Sequence, residues 1–144
     1  MTRRTVVATR HSTAAVEQVW ALLSQARTWK DWGSFTVAEL EREGDPAPDG
    51  VGAVRRFGFP MYASREEVVA FEPPHHLGYT MLKGLPITGY RSDVTLAVAP
   101  DGGTDLRWES SFDARPADGW FWAGFLRFLI TDFSRRLAKA AARG

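Results

Sequence analysis

The segment DGWFWAGFLRFLITDF, residues 118–133, packs two tryptophans and four phenylalanines around a single basic residue, Arg127. Its apolar stretch, Gly119–Ile130, is twelve residues long and contains that arginine, whereas a bilayer crossing takes about 20 apolar residues. A membrane span is therefore excluded for this segment. At 100° per residue Trp122, Phe125, Leu126, Leu129, Phe133 and Leu137 fall in one stripe, with Arg127, Thr131, Ser134, Arg135 and Lys139 opposite. The segment reads as the buried side of an amphipathic helix running from about Asp118 to Ala142. Such a helix needs an apolar partner.

The partner is written upstream in a different period. From Ser34 to Asp113 the chain reads as strands over 35–42, 52–59, 64–72, 76–83, 89–99 and 104–113. The clearest is TDLRWESSFD: Leu106, Trp108, Ser110 and Phe112 alternate with Asp105, Arg107, Glu109 and Ser111, giving one dry and one wet face. PDGG supplies the turn to the preceding strand, and EGDPAPDGVG (residues 43–52) reads as a turn between two earlier ones. Before them TVVATR (5–10) reads as a first strand, and Ser12 or Thr13 is placed to cap a helix. Val16, Val19, Trp20 and Leu23 carry that helix's apolar face, and ARTWKDW continues as a short helical turn. The predicted class is α+β, in the order strand, two helices, six strands, long helix.

A chain of 144 residues fits one domain, expected over 1–144, and can bury a core without staples. With 18 basic and 17 acidic residues spread along it, the chain lacks the gathered positive charge that nucleic acid requires. It has no cysteine, which removes disulfides, thiolate metal sites and a cysteine nucleophile, and fits the expected cytoplasmic location. MTRRTVVATRHST has no apolar run of the signal-peptide kind.

Four strings in this order, STAAVEQVWALLSQARTWKDW, GVGAVRRF, REEVVAFEPPHHLGY and GGTDLRWESSF, resemble the SRPBCC superfamily, the START or birch-pollen-allergen-like helix-grip fold. More narrowly the chain resembles bacterial polyketide cyclase/dehydrase-type members. The resemblance implies a curved antiparallel sheet of about seven strands wrapped around the C-terminal helix. It also implies a cavity between them that takes lipids, polyketides or other small hydrophobic molecules, and in a minority of members cyclisation or dehydration.

Apolar walls with a few polar groups are what a small-molecule pocket needs. The candidate lining is Trp32, Phe57, Phe59, Tyr79, Met81, Tyr90, Trp108, Ser110, Phe112, Trp122, Phe125 and Leu129. Tyr79 and Tyr90 offer ring area plus one hydrogen bond each. Trp29 and Trp32 either plug the end of the core or stack on a guest, with Trp32 favoured as lining because it adjoins Gly33. Leu85, Pro86 and Ile87, in the Gly/Pro-bearing loop LKGLPITGY, form either an apolar lid or a hairpin packed on the helix.

The chemistry-bearing residues are sparse. Glu67 shares strand parity with Val69 and Phe71, so it either enters the pocket as a base or stays outside as an ion-pair partner. Arg55 is either a structural ion-pair partner or a contact for a ligand carboxylate or carbonyl. His75 and His76 are adjacent and point opposite ways on a strand, so they cannot share a metal, and His11 stands alone. Asp132 falls at the edge of the helix stripe and reads as solvated. Gly50 and Gly52 lack the third glycine of a dinucleotide fingerprint, and no hydrolase elbow or zinc-protease motif occurs. No catalytic residue, metal or cofactor is assigned.

The leading reading is a binder of a small hydrophobic molecule, with no nucleic acid and with a homodimer allowed. The alternatives are a cyclase, aromatase or dehydratase-like enzyme, and an interaction protein whose core is filled. A space of roughly 300 Å³ or more between helix and sheet separates the first two from the third.

Overall fold

The computed structural model describes residues 1–144. Strand β1 (Thr2–Ser12) leads into helix α1 (Val16–Ser24), a tight 3₁₀ turn (Ala26–Thr28) and the short helix α2 (Trp29–Trp32). Strands β2 (Val37–Arg42), β3 (Val54–Phe59), β4 (Tyr62–Glu72), β5 (His76–Lys83), β6 (Thr88–Val98) and β7 (Thr104–Ala114) follow, and α3 (Gly119–Arg143) ends the chain. All seven strands form one antiparallel sheet in the order β1-β7-β6-β5-β4-β3-β2, a six-strand meander with β1 added beside β7. The expected strand–helix–helix–six strands–helix order is observed. No helix is long and apolar enough to cross a membrane.

The alternation on β7 is realised throughout: Leu106, Trp108, Ser110 and Phe112 are buried while Asp105 and Arg107 are exposed. The β6–β7 turn closes as its sequence demands, with the Gly103 N–H donating to Asp101 Oδ1 at 2.8 Å and Gly102 at φ +84°. The loop before β3 is anchored from inside, because Asp49 Oδ1 accepts from the Ala26 N–H at 3.1 Å and so ties it to the 3₁₀ turn.

Two local readings need correction, and a third is decided between its alternatives. Neither Ser12 nor Thr13 caps α1. Ala15 is its N-cap, and Gln18 Oε1 reaches back to accept the Ala15 N–H at 3.2 Å. Ser12 instead accepts from the Ala14 N–H and donates to the Ala138 carbonyl at 2.8 Å, pinning the end of β1 to α3.

The second concerns the buried face of α3. It centres on Ala123, Leu126, Ile130, Phe133, Ser134, Leu137, Ala138 and Ala141. Ser134, expected outside, is buried and donates to the Ile130 carbonyl at 2.6 Å. Phe125 sits at the edge, 37% exposed, while Trp120 and Phe128 are 67% and 68% exposed. Weighing residues by apolar bulk aimed the stripe at the large aromatic groups. Close approach to β1 instead selects the small ones, because a short side chain lets two backbones draw together.

The third lies on β4. A register irregularity between Val68 and Ala70 switches the parity partway along the strand, so Glu66 and Val68 are buried while Val69 is exposed. Parity carried back from Val69 and Phe71 would bring Glu67 into the pocket, but of its two readings the outside ion-pair partner is the one realised. Glu67 lies outside and pairs with Arg42 at 3.3 Å.

Candidate functional site

The backbone of α3 runs close to β1 and β7, at one side of the sheet. Over β3 to β6 helix and sheet part, and a cavity of about 280 Å³ opens between them. Phe57, Gly58 and Phe59 come from β3; Tyr62, Ser64 and Glu66 from β4; Tyr79 and Met81 from β5; Tyr90 from β6. Helix α3 supplies Phe125, Leu126, Leu129, Ile130 and Phe133. Trp29, Ser34 and Phe35 close one end, and Gly84 and Leu85 overhang from the β5–β6 loop. Gly58 has φ +149°, and a Cβ there would run into the Tyr62 carbonyl, so the rim needs a glycine at this turn.

Seven of the candidate residues meet here: Phe57, Phe59, Tyr79, Met81, Tyr90, Phe125 and Leu129. Five do not. Trp108, Ser110 and Phe112 sit on β7, where α3 lies too close for a gap, and all three are fully buried. Trp122 is half-buried against the core, edge-on to Phe125, with no face on the cavity. Trp32 is buried and holds its indole N–H toward Thr28 Oγ1 at 3.3 Å. Its neighbour Trp29 is the wall residue: Trp29 stacks on Phe57 at 4.4 Å and 11° and donates its N–H to the Leu23 carbonyl. The lid reading is realised in part, with Leu85 over the cavity, Ile87 packed on the core and Pro86 exposed.

At the polar end of the cavity the ion-pair reading of Arg55 is realised, while its partner Glu66 escaped the sequence reading. Arg55 on β3 is 0% exposed, and its Nη2 donates to Glu66 Oε1 at 3.2 Å across the β3–β4 ladder. The guanidinium lies 4.9, 5.0 and 4.8 Å from the ring centroids of Trp29, Phe57 and Tyr79, and its Nε and Nη1 have no hydrogen-bond partner. Aromatic faces stand in for those missing acceptors, since a ring quadrupole attracts a cation. Burial pushes the Glu66 carboxyl up to about 7, with Arg55 pulling against that rise. The one available signal was local parity: Ser64, Glu66 and Val68 alternate ahead of the irregularity.

Beneath this pair runs a chain of hydroxyls. The Trp108 indole N–H donates to Tyr79 Oη at 3.1 Å, Ser92 Oγ donates to Tyr90 Oη at 2.7 Å, and Ser92 and Ser110 share a 2.6 Å bond. Ser110 thus serves the cavity from below, by fixing Tyr90. Burial raises both phenols, Tyr90 to about 12 and Tyr79 well above its ordinary value, so each stays protonated and neutral.

The remaining candidates lie elsewhere. His11 does have partners, Asp101 at 2.8 Å and Asp105 at 3.0 Å. His76 bridges Glu72 and Asp93 at 2.5 and 2.7 Å, whereas His75 Nδ1 lies against the Leu96 carbonyl. Asp132 is more sheltered than a solvated acid, clamped by Arg135 at 2.6 Å and Arg136 at 2.8 Å.

A curled antiparallel sheet closed by one long helix, with a lined gap between them, defines the SRPBCC or birch-pollen-allergen-like class. Within that class, a family model described as polyketide cyclase/dehydrase and lipid transport matches residues 3–143, and the chain belongs to that family. The protein MLL2253 from Mesorhizobium loti is similar in structure at 25% identity and TM-score 0.76, over 97% of this chain and 98% of that one. Truncated norcoclaurine synthase from Thalictrum flavum is similar at 14% identity and TM-score 0.78, covering 99% and 96%. The Aha1 dimer from Colwellia psychrerythraea is similar at 16% identity and TM-score 0.74, covering 98% and 99%. The last two likenesses establish the fold alone. No curated protein matches the chain.

Proposed function

We propose that this protein binds a small apolar molecule in the cavity between α3 and strands β3 to β6. The observation that carries the reading is the space itself: about 280 Å³, walled mainly by aromatic and aliphatic side chains and gathering a few polar groups at one end. That volume stands just below the usual range for pockets that enclose drug-sized ligands, about 300–1,000 Å³. An apolar cavity of about 150 Å³ is enough to hold benzene. A guest of one or two rings therefore fits, while a sterol or a full acyl chain fits only by protruding past Phe59 and Phe125 at the rim. The gap also counts against a core filled solid.

Native mass spectrometry of the purified protein, followed by extraction of any retained compound, tests this reading. The expected result is a bound species of one- or two-ring size, or uptake of such a probe at one per chain. A protein that neither retains nor takes up any apolar compound would remove the proposal. One observation favours a second, enzymatic reading: a carboxyl on the cavity wall whose proton is exchangeable near neutral pH suits general acid–base work. Turnover of a reactive β-diketone that Glu66→Gln abolishes, with binding kept, would support it.

A further inference from the structure

Glu66 is the cavity's one carboxyl, and one of its oxygens has no protein partner. Glu66 Oε1 takes the hydrogen bond from Arg55, but Oε2 receives none from the protein, on a residue that lines the cavity. Of the other polar groups on the wall, Ser34 also makes no side-chain hydrogen bond but is a neutral hydroxyl, and Tyr62 Oη donates to the Gly84 carbonyl at 2.7 Å. Tyr90 Oη accepts from Ser92 and Tyr79 Oη accepts from Trp108, so both phenol oxygens already accept a hydrogen bond from the protein. Ser64 is held toward the Phe57 carbonyl at 3.4 Å.

Charge narrows the choice of guest. Arg55 already balances an ionised Glu66, so a cationic guest finds no net charge to neutralise. An anionic guest would meet a carboxylate, and the Arg55 guanidinium is screened from the cavity by the rings of Trp29, Phe57 and Tyr79. What remains is a neutral hydrogen-bond donor. Shape adds the rest: the flat faces of Trp29, Phe35 and Phe57 lie nearly parallel, with Phe35 on Phe57 at 5.5 Å and 15°. Planar walls favour a planar ring.

Resting on the reading of the cavity as a binding site, we infer that it selects a neutral one- or two-ring aromatic compound bearing a hydroxyl, which donates to Glu66 Oε2. An ionised carboxylate accepts more strongly than a protonated one, so the preference for the hydroxyl is greatest above the range in which Glu66 loses its proton. The groups that face Glu66 are Arg55 from β3, Tyr79 from β5 and Tyr90 from β6, and α3 brings only apolar side chains to the wall. Both phenols stay neutral through pH 8, leaving Glu66 as the wall group that changes charge.

Equilibrium dialysis of the whole protein against naphthalene, 2-naphthol and 2-naphthoate, at pH 5.5 and pH 8, tests the inference. At pH 8 we expect 2-naphthol to bind about tenfold tighter than naphthalene, the size of one hydrogen bond to a charged group. At pH 5.5 that advantage shrinks severalfold, and 2-naphthoate binds no tighter than naphthalene at either pH. In Glu66→Gln the advantage of 2-naphthol no longer changes with pH. Equal binding of 2-naphthol and naphthalene at pH 8, a wild-type preference indifferent to pH, or a preference for 2-naphthoate overturns the inference and leaves the cavity reading standing. If none of the three binds, the cavity reading itself fails. The wild-type comparison decides the matter even if Glu66→Gln folds poorly with Arg55 left uncompensated.

Discussion

The two halves of the space under α3 are built from different side chains, and they behave differently. Toward β1 and β7 the helix presents Leu137, Ala138 and Ala141, and the sheet answers with Val6, Ala8 and Leu106, all buried. Toward β3 to β6 it presents Phe125, Leu129 and Phe133 to Phe57, Tyr79 and Tyr90, and a gap remains. Small and branched groups interdigitate to the density of a molecular crystal. Large flat rings joined to a buried ion pair do not. The closed half holds the molecule together, and the open half is free to be specific.

Five changes would break or sharpen that contrast. The largest effect is expected from Glu66→Ala, which strands the Arg55 cation inside the protein at a cost of about 3–5 kcal/mol. Chemical denaturation should show it, and Arg55→Met should cost less, because Glu66 can take up a proton whereas an arginine cannot lose one. Next comes the closed half: Leu137→Ala removes a fully buried side chain and should cost about 3 kcal/mol while leaving uptake of an apolar probe unchanged. If uptake falls as far as stability does, the two halves are not separable.

A smaller effect comes from pH. The folded-state Glu66 is raised from 4.5 to about 7, so the stability tied to its protonated form is present below pH 4.5 and is lost as pH rises through 7. His76 is also raised, its Glu72 and Asp93 partners outweighing burial, and its contribution fades in the same direction above its ordinary 6.5. The unfolding free energy from urea titration should therefore fall from pH 5 to pH 7, by about 2 kcal/mol from Glu66 alone. A stability that rises over this interval would mean that Arg55 outweighs burial at Glu66. The smallest change in stability is expected for Leu129→Trp on the half-buried mouth, within about 1.5 kcal/mol. Probe uptake should nevertheless drop sharply, since the added ring occupies the space a guest would take.

Sequence patterning described the closed half better than the open one. The alternation through Leu106, Trp108, Ser110 and Phe112 carries the β7 face on its own, because each inward residue is set by the period of the strand. The helix stripe likewise located Leu137 there, and it also took in Phe125, Leu129 and Phe133 on the open half. The open half depends on quantities that no single segment contains. Whether Trp29 or Trp32 faces the gap turns on the rotation of a four-residue helix. That Glu66 enters and Glu67 leaves turns on a register irregularity two residues downstream. The union of Arg55 with Glu66 is a cross-strand pairing, and the gap itself is a difference in helix-to-sheet distance between two sides of the sheet. Small residues such as Ala123 and Ser134, which decide how near α3 comes, weigh little in a hydrophobicity pattern.

Trp29, with its ring stacked on Phe57 and a guanidinium 4.9 Å from its centroid, gives the molecule an optical property of its own. Indole emission responds to the polarity and charge around the ring, and a guest entering the cavity would settle against this one. Trp120, two-thirds exposed on the outer face of α3, would keep its water-shifted emission throughout. Occupancy should therefore be readable as a change confined to the short-wavelength side of the spectrum, with no label attached to the chain.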